Sequence, residues 1–256
     1  MIDARAVVHP GAQLAADVSV GPFSLIGEHV RLGPRCKIGP HVVIDGHTTM
    51  GADNQVSPFA SIGGPPQDKK YAGEPTRLEI GDRNVFREGC TVNRGTTHDK
   101  GVTRLGDDIL LMAYAHIAHD CIIGNKTIFA NCASLGGHVE VGEWVIVGGL
   151  TAIHQFVKIG AHAFVGGASA LTRDIPPYVM AAGNPCVPHT VNAEGLKRRG
   201  FSPEQIRNIK NAYRILYRAD LKLSDAIARL EPLAAEQPEL RPFVEFIQDS
   251  TRSLVR

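Results

Sequence analysis

The side chains best suited to chemistry in this sequence are its eleven histidines, and a few of them fall at spacings that a periodic backbone would gather. His119 stands beside the carboxylate of Asp120 in the segment Ala115-His116-Ile117-Ala118-His119-Asp120-Cys121, and Gly137-His138 and His154-Gln155 follow. On a backbone that turns once every 18 residues, His119, Gly137 and Gln155 would stand above one another, with His138 and His154 each one residue from that line. Successive turns lie about 5 Å apart, so His119, His138 and His154 are expected to form one column, with His116 a corner away. Imidazole titrates near neutrality and suits removal of a proton from a hydroxyl nucleophile, while an adjacent carboxylate orients the ring and stabilises the imidazolium. A glycine N–H can meet a developing oxyanion without steric obstruction. His119 with Asp120 as base and Gly137 as donor makes a coherent acyl-transfer site. Three neutral imidazoles also suit zinc, and the residues alone leave both chemistries open.

An 18-residue turn is what the aliphatic pattern requires. From Ile2 every sixth residue to Ile62 is aliphatic or Met50, a second run covers Ile80, Phe86 and Val92, and a third runs from Leu105 to Leu171, one step out of phase. The next residue is often glycine, as in Gly21, Gly27, Gly33 and Gly39. The residue two before the aliphatic is mostly small or β-branched, as in Val18, Ser24, Cys36 and Thr48. A period of six fits neither a helix nor a plain strand. It fits a short strand plus a tight corner, and three such sides close a triangular parallel coil with the aliphatic residue inward and glycine relieving the corner. The 26 hexads make about nine turns, a prism on the order of 40 Å long. The fold expected is mainly β, a left-handed parallel β-helix over 1–187 followed by a small α-helical domain over 188–256. Inserted loops at 64–77 and 97–104 break the period, and loops on a regular solenoid are where function tends to sit.

Composition agrees. Glycine is abundant (27 of 256) and aromatics few (6%), which suits a narrow repetitive core and excludes a collagen-like chain. A net charge of +1 excludes the strong field of a nucleic-acid coat protein. No stretch approaches the ~18 apolar residues of a membrane span, and Asp3 and Arg5 stand where a secretory leader needs an apolar core, so neither nucleic-acid partners nor stable membrane insertion is expected and the chain reads as cytoplasmic. The five cysteines, with no C-x-x-C pair, read as reduced buried thiols. Beyond the hexads, Ser202-Pro203-Glu204-Gln205 has the form of a capping box with proline at the first helical position. It predicts a helix to about residue 218 with Ile206, Ile209, Tyr213 and Leu216 inward, and further helices follow from Ser224 to Ala235 and Pro238 to about Arg252.

The segments Gln67 to Arg77, Ala115 to Cys121, Gly136-Gly137-His138-Val139, Ile153-His154-Gln155-Phe156, Gly183-Asn184-Pro185 and Asn192 to Phe201 closely resemble the UDP-N-acetylglucosamine O-acyltransferases that begin lipid A biosynthesis. The resemblance covers essentially the whole chain. It implies a homotrimer with active sites between neighbouring prisms, and transfer of an (R)-3-hydroxyacyl group from acyl carrier protein to the sugar 3-hydroxyl of UDP-N-acetylglucosamine. His119 would be the general base, Asp120 its partner and Gly137 the oxyanion donor. His116, His138, His154 and Gln155 would line the substrate cleft, Asp68 and Lys70 would hold the sugar and acyl region, and Asn192, Glu194, Arg198 and Arg199 the nucleotide. No metal is implied, nor any cofactor beyond the phosphopantetheine thioester of the carrier protein. Asn93 stands where many family members carry histidine. Gly167 falls at the place of the family's acyl-chain ruler, which without a side chain implies a C12 to C14 donor.

From Lys197 to Lys222 eight basic residues face two acidic ones. Arg207, Lys210, Arg214 and Arg218 share one helix face by their spacing, a surface expected to steer the acidic carrier protein. The competing readings are another hexapeptide-repeat enzyme, either a CoA-dependent acetyltransferase or a γ-class carbonic anhydrase with zinc on the histidines, and a non-enzymatic solenoid scaffold.

Overall fold

Most hexads contribute a two-residue strand, and strands 18 residues apart pair in parallel, as Val7–Val8 does with Leu25–Ile26 and that strand with Val43–Ile44. The computed structural model, which describes residues 1–256, stacks them into three sheets of nine, eight and ten strands, parallel except for the last strand of the third, and these form the three sides of a left-handed prism. The aliphatic hexad residues fill its axis: Ile26, Ile44, Leu111 and Ile117 are at most 1% exposed. The smaller residues before them, Val18, Val30, Cys36 and Val42, are buried beside them.

The corners are built differently from expectation. The residues with left-handed backbone are mostly not glycine: one corner carries Phe23, His41, Phe59, Tyr114, Cys132, Leu150 and Ala168, a second Arg35, Asp53, Lys126, Trp144, His162 and Tyr178, and a third Asp120, His138 and Phe156. Each follows the first residue of its turn, which is proline at Pro22, Pro34, Pro40 and Pro58, a type II arrangement. The hexad glycines serve another need, close approach of stacked coils. A Cβ on Gly21 would lie 2.7 Å from the Gly39 carbonyl carbon, so the coil spacing excludes a side chain there.

Two inserts interrupt the coil. The first leaves after Ser61–Gly64 and returns at Arg77–Ile80, widening one turn from 18 to 30 residues, so phase is kept. The second lies between Thr91–Asn93 and Val102–Leu105 and makes a turn of 25, which shifts the aliphatic phase by one. Val102–Arg104 thus belong to a strand paired with Arg77–Glu79 rather than to a loop.

An antiparallel pair, Val179–Ala182 with Val187–Val191, closes the ten-stranded sheet. Four helices follow: α1 (Ala193–Arg198), α2 (Pro203–Arg218), α3 (Leu223–Glu236) and α4 (Arg241–Asp249). The capping box at Ser202 and Gln205 forms in both directions. Helix α4 ends earlier than its sequence suggests, because Ser250 turns its hydroxyl to Asp174 at 2.7 Å and Val255 N–H donates to the Asp174 carbonyl. That return brings the C-terminal tail back to the prism. No helix is long and apolar enough to cross a membrane.

Candidate active site

Asp120 is the best-held side chain of the third corner. It is fully buried, and it accepts from Thr96 N–H at 3.0 Å, Thr96 Oγ1 at 2.7 Å and His119 Nδ1 at 2.9 Å. Its own N–H donates to Thr103 Oγ1 at 2.8 Å. Burial pushes this carboxyl up, but the hydrogen bonds from His119 and Thr96 outweigh it and hold the group below the ordinary carboxylate range. An ionised carboxylate can only accept, so His119 carries its hydrogen on Nδ1 and presents a bare Nε2.

That ring is seated against Gly137. A Cβ at position 137 would stand 2.5 Å from His119 Cε1 and 2.7 Å from Nε2. Gly137 occupies the turn position that is proline at Pro22, Pro34, Pro40 and Pro58. Proline has no N–H, so the coil does not need one there, and that of Gly137 is free to donate to a ligand beside His119.

The stacked coils separate the histidines that the 18-residue spacing gathers. Pairing of Leu135 with Ile153 sets Gly136 over His154, Gly137 over Gln155 and His138 over Phe156. The expected single column is therefore three neighbouring ones, since one residue at a corner turns a side chain toward a different face. His119 and His138 still meet, edge to face with centroids 5.0 Å apart, and His138 stacks on Phe156 at 4.3 Å. His154 lies exposed on the adjoining side, with Nδ1 3.0 Å from the Gln155 carbonyl oxygen. His116 is on that side too, bonded to Thr91 Oγ1 at 2.7 Å, and burial and then His119 lower its pKa. A zinc site of three imidazoles is not assembled. The group that does meet, His119, Asp120 and His138, has its carboxylate already committed to Thr96 and His119.

Both inserts reach this corner and make an open cleft of roughly 920 Å³, walled by Asp68 and Lys70 from the first, His98 to Lys100 from the second, and Gln155 and Lys158 from the coil. The tail closes another side, where Arg252 donates to the Gln155 carbonyl at 3.0 Å. Thr96, Asp99, Thr103 and Arg252 escape sequence reasoning. Their contacts span 17 to 97 residues, and no local motif marks them.

The other expected residues lie elsewhere on the same chain. Asn192 caps α1, accepting from Gly195 N–H at 3.2 Å and donating to the His162 carbonyl at 2.9 Å. Glu194 and Arg198 pair across one turn at 3.1 Å. Arg199 lies over the Trp144 ring at 5.1 Å and against His162 Nδ1 at 3.1 Å. Burial, then the Arg199 charge, lowers the His162 pKa to about 4. This cluster sits on the second corner. Gly167 sits at the first, its Cβ direction facing the Gly149 backbone. Asn93 is 7% exposed, with its Oδ1 lacking a hydrogen-bond partner. Arg207, Lys210, Arg214 and Arg218 are all exposed along α2, opposite buried Ile209, Ala212, Tyr213 and Leu216, while Ile206 is half-buried. Four cysteines are buried and Cys132 is half-buried; all are free.

A left-handed β-helix of hexad coils with a histidine–carboxylate pair beside a backbone donor defines a hexapeptide-repeat acyltransferase. Residues 11–46 and 103–137 match the bacterial transferase hexapeptide family (six repeats), and residues 174–255 match the family described as Udp N-acetylglucosamine O-acyltransferase, Domain 2. An acyl-[acyl-carrier-protein]–UDP-N-acetylglucosamine O-acyltransferase of Thiobacillus denitrificans is 55% identical over 255 residues, covering 100% of this chain and 99% of that one. A solved structure of LpxA from Acinetobacter baumannii is 42% identical with a TM-score of 0.97 over 100% of this chain and 99% of that one. The Francisella novicida UDP-N-acetylglucosamine acyltransferase is 38% identical with a TM-score of 0.98, over 100% of this chain and 94% of that one. The chain belongs to the UDP-N-acetylglucosamine O-acyltransferase family.

Proposed function

We propose that this chain transfers an (R)-3-hydroxyacyl group from the phosphopantetheine thioester of acyl carrier protein to the 3-hydroxyl of UDP-N-acetylglucosamine, the first step of lipid A biosynthesis, in the cytoplasm. The observation that carries the reading is the Thr96–Asp120–His119 chain, which holds His119 by Nδ1 and leaves Nε2 beside Gly137. The sugar hydroxyl attacks the thioester carbonyl carbon as its proton passes to His119 Nε2, and the oxyanion draws on Gly137 N–H. Collapse breaks the C–S bond, the proton moves from Nε2 to the departing sulfur, and the ester and free carrier thiol remain. Asp120 stays ionised and stabilises the imidazolium formed between these transfers.

Within one chain the base, the Asn192 to Arg199 group and Gly167 stand at three different corners. A three-fold assembly, in which a corner of one prism meets another corner of the next, would unite them in a shared cleft. Asp68, Lys70 and Gln155 would then hold the sugar, Glu194, Arg198 and Arg199 the nucleotide, and Gly167 would leave room for a C12 to C14 chain. The exposed basic face of α2 is the carrier-protein dock. Incubation with UDP-N-acetylglucosamine and a panel of hydroxyacyl carrier proteins, read by mass, should give acylated sugar nucleotide, most with C12 to C14 donors. No product with any donor overturns the reading.

A further inference from the structure

His138 has a carboxylate of its own. Its Nδ1 lies 2.7 Å from Oδ2 of Asp99, a residue of the second insert that no motif marks. Three side chains of the insert bond to side chains of the coil: Thr96 to Asp120 at 2.7 Å, Asp99 to His138, and Lys100 to Glu140 at 2.9 Å. Two of these end on the residues that flank His119 in space, one beneath its Nδ1 and one on the ring that meets it edge to face. The extra residues of this turn thus do more than shift the hexad phase. They carry the side chain that bonds His138 directly and the one that bonds the Asp120 carboxylate beneath His119.

The two partners have different consequences. His119 is pressed against Gly137, next to the uncommitted N–H. His138 is fixed by a stack on Phe156 with 5° between ring planes, and its side chain is 14% accessible in the wall of the cleft. A carboxylate can only accept, so Nδ1 of His138 bears the hydrogen, and in the neutral ring it is Nε2 that keeps the lone pair. Without Asp99 the neutral ring has no reason to prefer that tautomer, and Nε2–H would repel a hydroxyl hydrogen rather than accept it.

We propose that Asp99 is a positioning residue that locks His138 as the Nδ1–H tautomer, so that its Nε2 is a fixed acceptor for a second hydroxyl of the sugar while His119 deprotonates the first. The proposal rests on the sugar-nucleotide reading above and adds the means by which the site distinguishes a hydroxyl donor from a group that cannot donate. Loss of a hydrogen bond to a charged partner corresponds to roughly 10- to 100-fold. An acceptor used equally in ground and transition states shows its loss in KM.

The experiment combines Asp99→Ala, His138→Gln and the double variant with ¹⁵N-histidine spectra of the full-length protein. D99A is expected to raise KM for UDP-N-acetylglucosamine roughly tenfold or more, with kcat and the KM for acyl carrier protein within twofold. In the H138Q background D99A should add less than a further twofold, because its effect passes through that ring. The spectra should show His138 with hydrogen on Nδ1 in the parent and a tautomer mixture in D99A. Equal D99A effects in both backgrounds would make Asp99 a loop latch and overturn the proposal, as would hydrogen on Nε2 in the parent. If the parent fails to acylate UDP-N-acetylglucosamine, the substrate reading falls, and the spectra still decide the Asp99–His138 pairing.

Discussion

Substitution of Gly137 by alanine isolates the placement of His119, the proposed base, from its identity. The added Cβ would lie 2.5 Å from Cε1 and 2.7 Å from Nε2 of His119, whereas unstrained contacts need about 3.5 Å. The coil backbone cannot retreat, because Gly136 and His138 are both hydrogen-bonded to neighbouring coils, so the imidazole moves by roughly 1 Å. A displacement of that size costs on the order of 100-fold in rate, about 2.7 kcal/mol of barrier. Backbone strain is not the cause, since Gly137 lacks left-handed φ and proline fills the same turn position elsewhere. The N–H also remains. Single-turnover acyl transfer under saturating donor and acceptor should therefore fall about 100-fold, with the denaturation midpoint close to that of the parent. A rate within threefold of the parent would refute the view that Gly137 exists to admit the His119 ring. Loss of cooperative unfolding would instead show that glycine is needed for the fold.

Three further outcomes follow from other parts of the structure. Thr96→Val removes a 2.7 Å donor from buried Asp120; its carboxyl should rise toward the ordinary range, so the acid limb of the pH–rate profile should move to higher pH and kcat fall roughly tenfold. His162 is held neutral, with its pKa lowered from 6.5 to about 4. Its contribution is full above pH 6.5 and is lost as the pH falls toward 4, an effect of up to about 2 kcal/mol, and urea titrations at pH 7, 6, 5 and 4 should show a shallower fall in His162→Gln. Reversing charge on the exposed face of α2, as R207E/K210E/R214E, should raise KM for acyl carrier protein at least tenfold and flatten its salt dependence while leaving KM for the sugar nucleotide unchanged; steady-state kinetics at two ionic strengths separate the two.

Much of the architecture was written locally. The six-residue aliphatic period needs no long-range information to imply a three-sided coil, because each hexad meets its neighbours by the same geometry, and the burial of Ile26, Ile44, Leu111 and Ile117 follows it. The start of α2 was equally legible, since a capping box is complete within four residues. The short α1 and the antiparallel pair before it were not, because their pairing and capping lean on Tyr178 and His162 of the prism. Nor was the end of α4, which Asp174 decides from 76 residues away.

The site divides along the same line. His119, Asp120 and Gly137 were visible because an 18-residue step is a vertical step on the coil, which sets Gly137 over His119, and Asp120 is simply the next residue. His154 was misplaced by that reasoning, since a shift of one residue at a corner turns a side chain onto another face of the prism. The sequence by itself determined the solenoid, the His119–Asp120 pair and the basic helix face. Only the tertiary structure decided which imidazoles meet, that Thr96 bonds Asp120 and Asp99 bonds His138, and that the Asn192 to Arg199 group stands at a different corner from His119. Periodicity fixes residues that share a coil position, whereas two inserts of unequal length, 12 and 7 residues beyond the 18-residue turn, place their side chains by contacts that no repeat encodes.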